Sequence, residues 1–165
     1  MTIRRRRVAG ELIVEQTPDL VRVTSILEAA AMTTIGVTWP AGCYLMAFIG
    51  DEPAGVVGIE SRIDAALIRS LTVIAARRRQ GVGAALIQAA RKAAHTRGSQ
   101  RLYTLARADA AGYFARYGFV DAPQAEMIDA LTGTPLVDHL RVRPAQMDRC
   151  ASLMLDISRD GVIVR

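Results

Sequence analysis

Apolar positions along the chain recur with two periods, and the changes from one to the other lay out the elements. Residues 8–16 read as a strand. Thr17 then caps a helix with Pro18 set for its first turn, and Leu20, Val23, Ile26, Leu27 and Ala30 fall at helical spacing. Residues 33–42, with Trp39-Pro40, show no period and read as a connecting loop or a short second helix. Residues 43–49 and 54–60 are apolar runs on either side of a turn at 50–53, a hairpin pattern. A polar turn at 61–64 leads into the run 65–73. After it Val82, Leu86, Ala89 and Ala93 mark the buried stripe of a long helix, with Gln88, Arg91, Lys92 and His95 on its wet side and Gly98 at its end. Residues 102–106 form a short strand, and 108–116 a short helix closed by Gly118. Phe119-Val120 open another strand, and 125–131 and 135–140 read as helices on either side of Gly133. Residues 151–158 alternate, with Leu153, Leu155 and Ile157 on one face, as a final strand. No repeat, linker or low-complexity tract interrupts this order. It predicts one α/β domain over residues 1–165, a mixed sheet of about six to seven strands with helices on both faces.

The junction at residues 68–86 carries the strongest chemical signal. A β-branched run ends in Arg77-Arg78-Arg79-Gln80-Gly81-Val82-Gly83-Ala84, and a helix starts at once. Backbone N–H groups and the positive end of a helix dipole then point at one spot, which suits a phosphorylated ligand. Gly81 and Gly83 lack a Cβ, so they permit positive φ and close approach. The P-loop's Gly-Lys-Ser/Thr is missing, and Leu86 stands where a dinucleotide fingerprint needs its third glycine. What remains, Arg-x-x-Gly-x-Gly from Arg78 to Gly83, resembles the pyrophosphate-binding signature of the GCN5-related N-acetyltransferases (GNAT). That resemblance extends along the whole chain and implies the GNAT fold and acetyl-coenzyme A (acetyl-CoA) as co-substrate. It also implies that Arg78, Arg79, Gln80, Gly81, Val82, Gly83 and Ala84 hold the diphosphate. A bulge on the central strand would let the backbone of Leu71, Thr72 and Val73 bind the pantetheine arm and polarise the thioester carbonyl.

Composition changes this picture little. With 51% hydrophobic and 22% charged residues the chain reads as globular rather than disordered. Net charge is +5 and the pI about 9.9, which raises nucleic acid as a partner. Scattered basic residues and 5% aromatics argue against it, and an anionic coenzyme accounts for the charge equally well. Cys43 and Cys150 make neither a disulfide framework nor a metal site, so no metal is expected. No apolar run is long enough to span a membrane. The arginines at 4–7 lack a following apolar segment and read as a solvated arm, which leaves the cytoplasm as the expected location. A homodimer stays open.

Acetyl transfer to an amine needs a base, and Glu60 is the one carboxylate at the end of an otherwise apolar strand, where partial burial is expected to raise its pKa. Arg69 interrupts the central strand two residues before the expected bulge. Facing the pocket, its fork would bind a carboxylate and select a small anionic amine such as an amino acid. Trp39 is placed to shape the acceptor pocket, and a core role fits it as well. The family's general acid is a tyrosine five residues before the phenylalanine of a Gly-Phe pair. Counting back from Gly118-Phe119 puts Phe114 there, against the coenzyme, and leaves Tyr113 one residue earlier as the available hydroxyl. The family's asparagine near the start of this helix is also replaced, around 107–109. Gly58-Ile59-Glu60, Leu67-Ile68-Arg69-Ser70-Leu71, the run from Tyr113 to Phe119 and Cys150-Ala151-Ser152-Leu153-Met154 are similar to a bacterial arsenic-resistance-associated subgroup. Its members acetylate amino-acid-like organoarsenicals such as arsinothricin, and it is related to N-acetylglutamate synthases. Alternatives are a protein or peptide N-acetyltransferase and a non-catalytic acyl-CoA-binding module.

Overall fold

Alternating burial along the strands divides the molecule into three layers. The computed structural model describes residues 9–160. Seven strands form one sheet in the order β1-β2-β3-β4-β5-β7-β6: β1 Leu12–Thr17, β2 Gly42–Ile49, β3 Glu52–Ser61, β4 Ala65–Val73, β5 Arg101–Arg107, β6 Val120–Asp121 and β7 Cys150–Asp156. All neighbours are antiparallel except β4 and β5. Successive side chains point to opposite faces. Ala66 and Ile68 therefore pack under α2 (Val82–Thr96) and α3 (Ala111–Ala115) with Leu86, Ile87, Ala90 and Phe114. Ala65 and Leu67 pack on the other face with Tyr103, Met127, Leu131, Val137 and Met147, beneath α4 (Gln124–Leu131), α5 (Pro135–Arg141) and α6 (Pro144–Met147). On that same face α1 (Leu20–Ala29) covers Tyr44, Met46, Phe48 and Val56 through Val23 and Leu27.

Several local expectations shift. Asp19, not Thr17, caps α1: its carboxylate accepts the Arg22 N–H at 3.0 Å, and Thr17 Oγ1 instead accepts the Asp19 N–H. The buried stripe of α2 runs through Val82, Gly83, Leu86, Ile87, Ala90 and Ala94, leaving Ala89 and Ala93 half-buried. Arg91 and His95 are only partly solvated, because the segment after β7 docks on them: Arg91 pairs with Asp160, and His95 Nδ1 lies 3.1 Å from the Ile157 carbonyl. Residues 33–41 form a loop with no helix. The basic run at 4–7 lies outside the described residues.

Helix α1 ends in a Schellman turn: Met32 N–H bonds to Leu27 O and Ala31 N–H to Glu28 O, with Ala31 at φ 53°. An alanine there carries a left-handed penalty that glycine escapes. Ala31→Gly is expected to raise unfolding free energy by about 0.5–1 kcal/mol in urea melts. No change would mean that the backbone relaxes.

Two features open the sheet at its centre. β4 and β5 pair only as far as Ile68 and Thr104, after which β5 continues with β7 while β4 runs on paired with β3 alone. The edge of β4 from Arg69 to Val73 that faces β5 is thus without a strand partner. Opposite β3, the register moves from Val56↔Thr72 to Gly58↔Arg69, so β4 carries one extra residue at Ser70-Leu71. Ser70 takes φ 56°, and its hydroxyl accepts from Arg69 Nε at 3.2 Å.

Candidate active site

The loop between β4 and α2 is shaped by backbone conformation first. A 3-10 turn at Ala75–Arg77 is followed by extended Arg78, left-handed Arg79 at φ 58° and left-handed Gly81 at φ 77°. No side chain caps α2, so its first-turn N–H groups face outward from a 15-residue helix. The two glycines serve different ends. Gly81 has open space where a Cβ would lie, and its requirement is conformational. Gly83 is helical, and a Cβ there would sit 2.2 Å from the Tyr113 hydroxyl.

A cleft of about 590 Å³ follows from this arrangement. Leu71, Thr72 and Val73 line it from β4, Arg78, Arg79, Gly81, Val82, Gly83 and Ala84 from the loop and helix start, and Tyr113 from α3. The sequence-derived coenzyme residues thus come together, with two departures. Gln80 points away, its Nε2 donating to the Ala76 carbonyl at 3.2 Å. Phe114 is buried in the core, edge-on to Phe119 with ring centroids 5.5 Å apart. Ala30, Met32, Arg116 and Tyr117 complete the lining and were not foreseen. The Arg116 guanidinium lies 4.9 Å from the Tyr113 ring centroid, and the Tyr117 hydroxyl is 3.4 Å from that of Tyr113.

Burial, reinforced by Tyr117, pushes the Tyr113 hydroxyl up to about 12, so it stays a proton donor at neutral pH. Burial, with a hydrogen bond to Glu126, does the same for Tyr103, also to about 12. Both folded values exceed the unfolded tyrosine value near about 10. The stabilisation these tyrosines give is therefore complete below pH 10 and lost as pH rises through about 12. Melting temperature is expected to fall across that window, and less steeply in the Tyr103→Phe/Tyr113→Phe double variant. Equal slopes would remove both tyrosines from the linkage.

On the α1 face of the sheet Glu60 and Arg69 form one buried unit. Arg69 Nη1 donates to Glu60 Oε1 at 2.5 Å, and the two side chains are only 1% and 3% exposed. Arg69 Nη1 also donates to the Ile35 carbonyl, and the Leu136 N–H at the start of α5 donates to Glu60 Oε2 at 3.3 Å. The pair ties the 33–41 loop and α5 to the sheet beside the bulge. Gly36, left-handed at φ 71°, closes this roof: a Cβ there would lie 2.4 Å from Pro135. Trp39 is half-buried against Gly42, the register partner of Glu60. No group of His, Cys, Asp and Glu among the described residues is arranged to hold a metal ion, and no helix among them is long and apolar enough to cross a membrane.

The Acetyltransferase (GNAT) family model matches residues 17–119. No curated protein matches the sequence. Among solved structures, the chain is similar to Rv2747 from Mycobacterium tuberculosis, solved in complex with CoA, at TM-score 0.71 and 18% identity, over 87% of this chain and 98% of that one. It is also similar to N-acetylglutamate synthase from Neisseria gonorrhoeae, complexed with coenzyme A and N-acetyl-glutamate, at TM-score 0.67 and 15% identity, over 91% of this chain and 36% of that one. A third likeness is to the ribosomal-protein-S18-alanine N-acetyltransferase from Escherichia coli, at TM-score 0.64 and 19% identity, over 94% and 99% of the two chains. At these identities the structural likenesses establish the fold alone.

Proposed function

The chain belongs to the acetyltransferase (GNAT) family, and on that premise we propose that it acetylates the primary amine of a small amino acid or amino-acid-like compound bearing an anionic group. The observation that carries this reading is Arg69, a buried guanidinium beside the β4 bulge with its Nη2 unpartnered. In this reading coenzyme A lies in the cleft, its diphosphate on the N–H groups of residues 81–84 and between Arg78 and Arg79. Its pantetheine arm follows the unpaired edge of Leu71, Thr72 and Val73. The arsenic-resistance subgroup resemblance and the N-acetylglutamate bound by the gonococcal enzyme suit such an acceptor.

The reaction is direct attack within a ternary complex. The acceptor ammonium gives a proton to Glu60, which has lone pairs left after its bonds to Arg69 and Leu136. The amine nitrogen attacks the thioester carbonyl, whose developing negative charge meets backbone N–H groups at the bulge. The C–S bond then breaks, the acylated nitrogen sheds its second proton, and the departing thiolate takes up one proton in exchange, relayed by solvent or by Tyr113. Trp39 shapes the acceptor side.

Thiol release from acetyl-CoA with a panel of free amino acids, neutral amines and peptides tests this. Free amino acids, which carry an anionic group beside the amine, are expected to turn over faster than neutral amines, each gaining one acetyl group by mass. Faster turnover of peptides would reassign the enzyme to protein acetylation. Coenzyme binding with no turnover of any amine would support a binding module, the reading favoured by Phe114 in place of a tyrosine.

A further inference from the structure

Polar atoms buried without partners are uncommon, because each forfeits its bonds to water. Among the described residues three side-chain atoms are in this state, Tyr44 Oη, Arg69 Nη2 and Ser99 Oγ. The first two lie together. Tyr44 is 4% exposed on β2, and Arg69 is 4% exposed on β4, with Gly58 of β3 between them. A Cβ on Gly58 would come within 2.9 Å of the Tyr44 ring and 3.0 Å of Arg69 Cγ. The missing side chain lets the two close over β3. The Ser70 hydroxyl, which accepts from Arg69 Nε, neighbours Tyr44 without forming a hydrogen bond of ordinary geometry with it. Burial pushes the Tyr44 hydroxyl above its usual range, so it stays a donor.

Resting on the acceptor reading above, we propose that Tyr44 Oη and Arg69 Nη2 together bind the α-carboxylate of the acceptor, while Glu60 beside them receives its α-ammonium. Two donors unspent in the protein stand on β2 and β4, on either side of Gly58, and one planar acceptor group reaching both would satisfy them. The charges decide which acceptor group is taken. Arg69 and Glu60 already neutralise each other, so an isolated anion would leave the buried site with an uncompensated charge. The zwitterionic head of an α-amino acid adds none. The site thus reads the amino-acid head, and any further anionic group of the substrate lies outside it. Entry requires the 33–41 loop and the start of α5 to part, and each is held to the ion pair by one hydrogen bond.

Kinetics of the full chain with L-glutamate, its α-amide and 4-aminobutyrate, for wild type and Tyr44→Phe, test the proposal. Wild type is expected to prefer glutamate over both analogues, which lack the α-carboxylate. Tyr44→Phe is expected to raise KM for glutamate about tenfold, with KM for the analogues, acetyl-CoA affinity and melting temperature held or improved. An unchanged preference in Tyr44→Phe, or equal use of glutamate and its α-amide by wild type, would overturn the site. Calorimetric binding of L-glutamate to the CoA-loaded protein separates the two levels. Tyr44-dependent binding without turnover keeps the site and removes the acetylation reading, and absence of both binding and turnover removes both.

Discussion

Replacing Gly83 by valine is expected to abolish measurable coenzyme A binding, weakening it on the order of 100-fold or more, about 2.7 kcal/mol. Two effects act together. A Cβ at this position already collides with the Tyr113 hydroxyl, and the γ-methyls extend into the space the diphosphate needs over the first turn of α2. The variant is expected to stay folded, because valine is a better helix former than glycine and Tyr113 is a movable side chain. Gly83→Ala is the graded control: it displaces Tyr113 but adds a single methyl, and intermediate affinity is expected. Titration calorimetry with coenzyme A checks both, and wild-type affinity in Gly83→Val would refute the loop assignment.

The second large effect is on stability. Arg69→Ala removes one partner of an ion pair that is almost wholly buried, leaving the Glu60 carboxylate with the Leu136 N–H alone. Breaking such a pair costs about 3–5 kcal/mol, or a melting-temperature drop of roughly 6–20 °C for a domain of this size. The Ile35 carbonyl loses its donor as well, so the 33–41 loop is expected to exchange its amide hydrogens faster. The Arg69→Met/Glu60→Leu double variant separates charge from packing. It is expected to recover most of the stability while losing acceptor turnover. A drop as large as that of Arg69→Ala would mean that the pair is not what couples loop, α5 and sheet.

The order of elements was legible, apart from the one-turn α6, because each buries an apolar face at its own period, and the strand 65–73 was read to the residue. Phase was harder. α2 is so rich in alanine that several stripes are equally apolar, and its contact with β3 and β4, not its composition, selects Ala90 and Ala94. The cleft was legible through the Arg-x-x-Gly-x-Gly pattern from Arg78 to Gly83, which resembles the family's pyrophosphate signature; a glycine turn before a helix is by itself ordinary α/β punctuation. Its far wall was legible only in part: Tyr113 was named as the available hydroxyl, but Phe114, expected against the coenzyme, is buried in the core, and Arg116 and Tyr117 gave no signal. Glu60 and Arg69 were singled out separately, as a base and an anion fork. Their pairing depends on the register Gly58↔Arg69, which a one-residue bulge sets, and nothing local to either residue announces it. Tyr44 gave no signal at all, since a tyrosine in an apolar strand reads as core.

The central claim is that the backbone of residues 81–84 grips the diphosphate of coenzyme A. Amide resonances of 15N-labelled protein titrated with coenzyme A test it most directly. The account predicts saturable shifts of the Gly81, Val82, Gly83 and Ala84 amides, with the Tyr113 ring responding in step. Those four amides staying still while resonances elsewhere move, or no resonance moving, would contradict it.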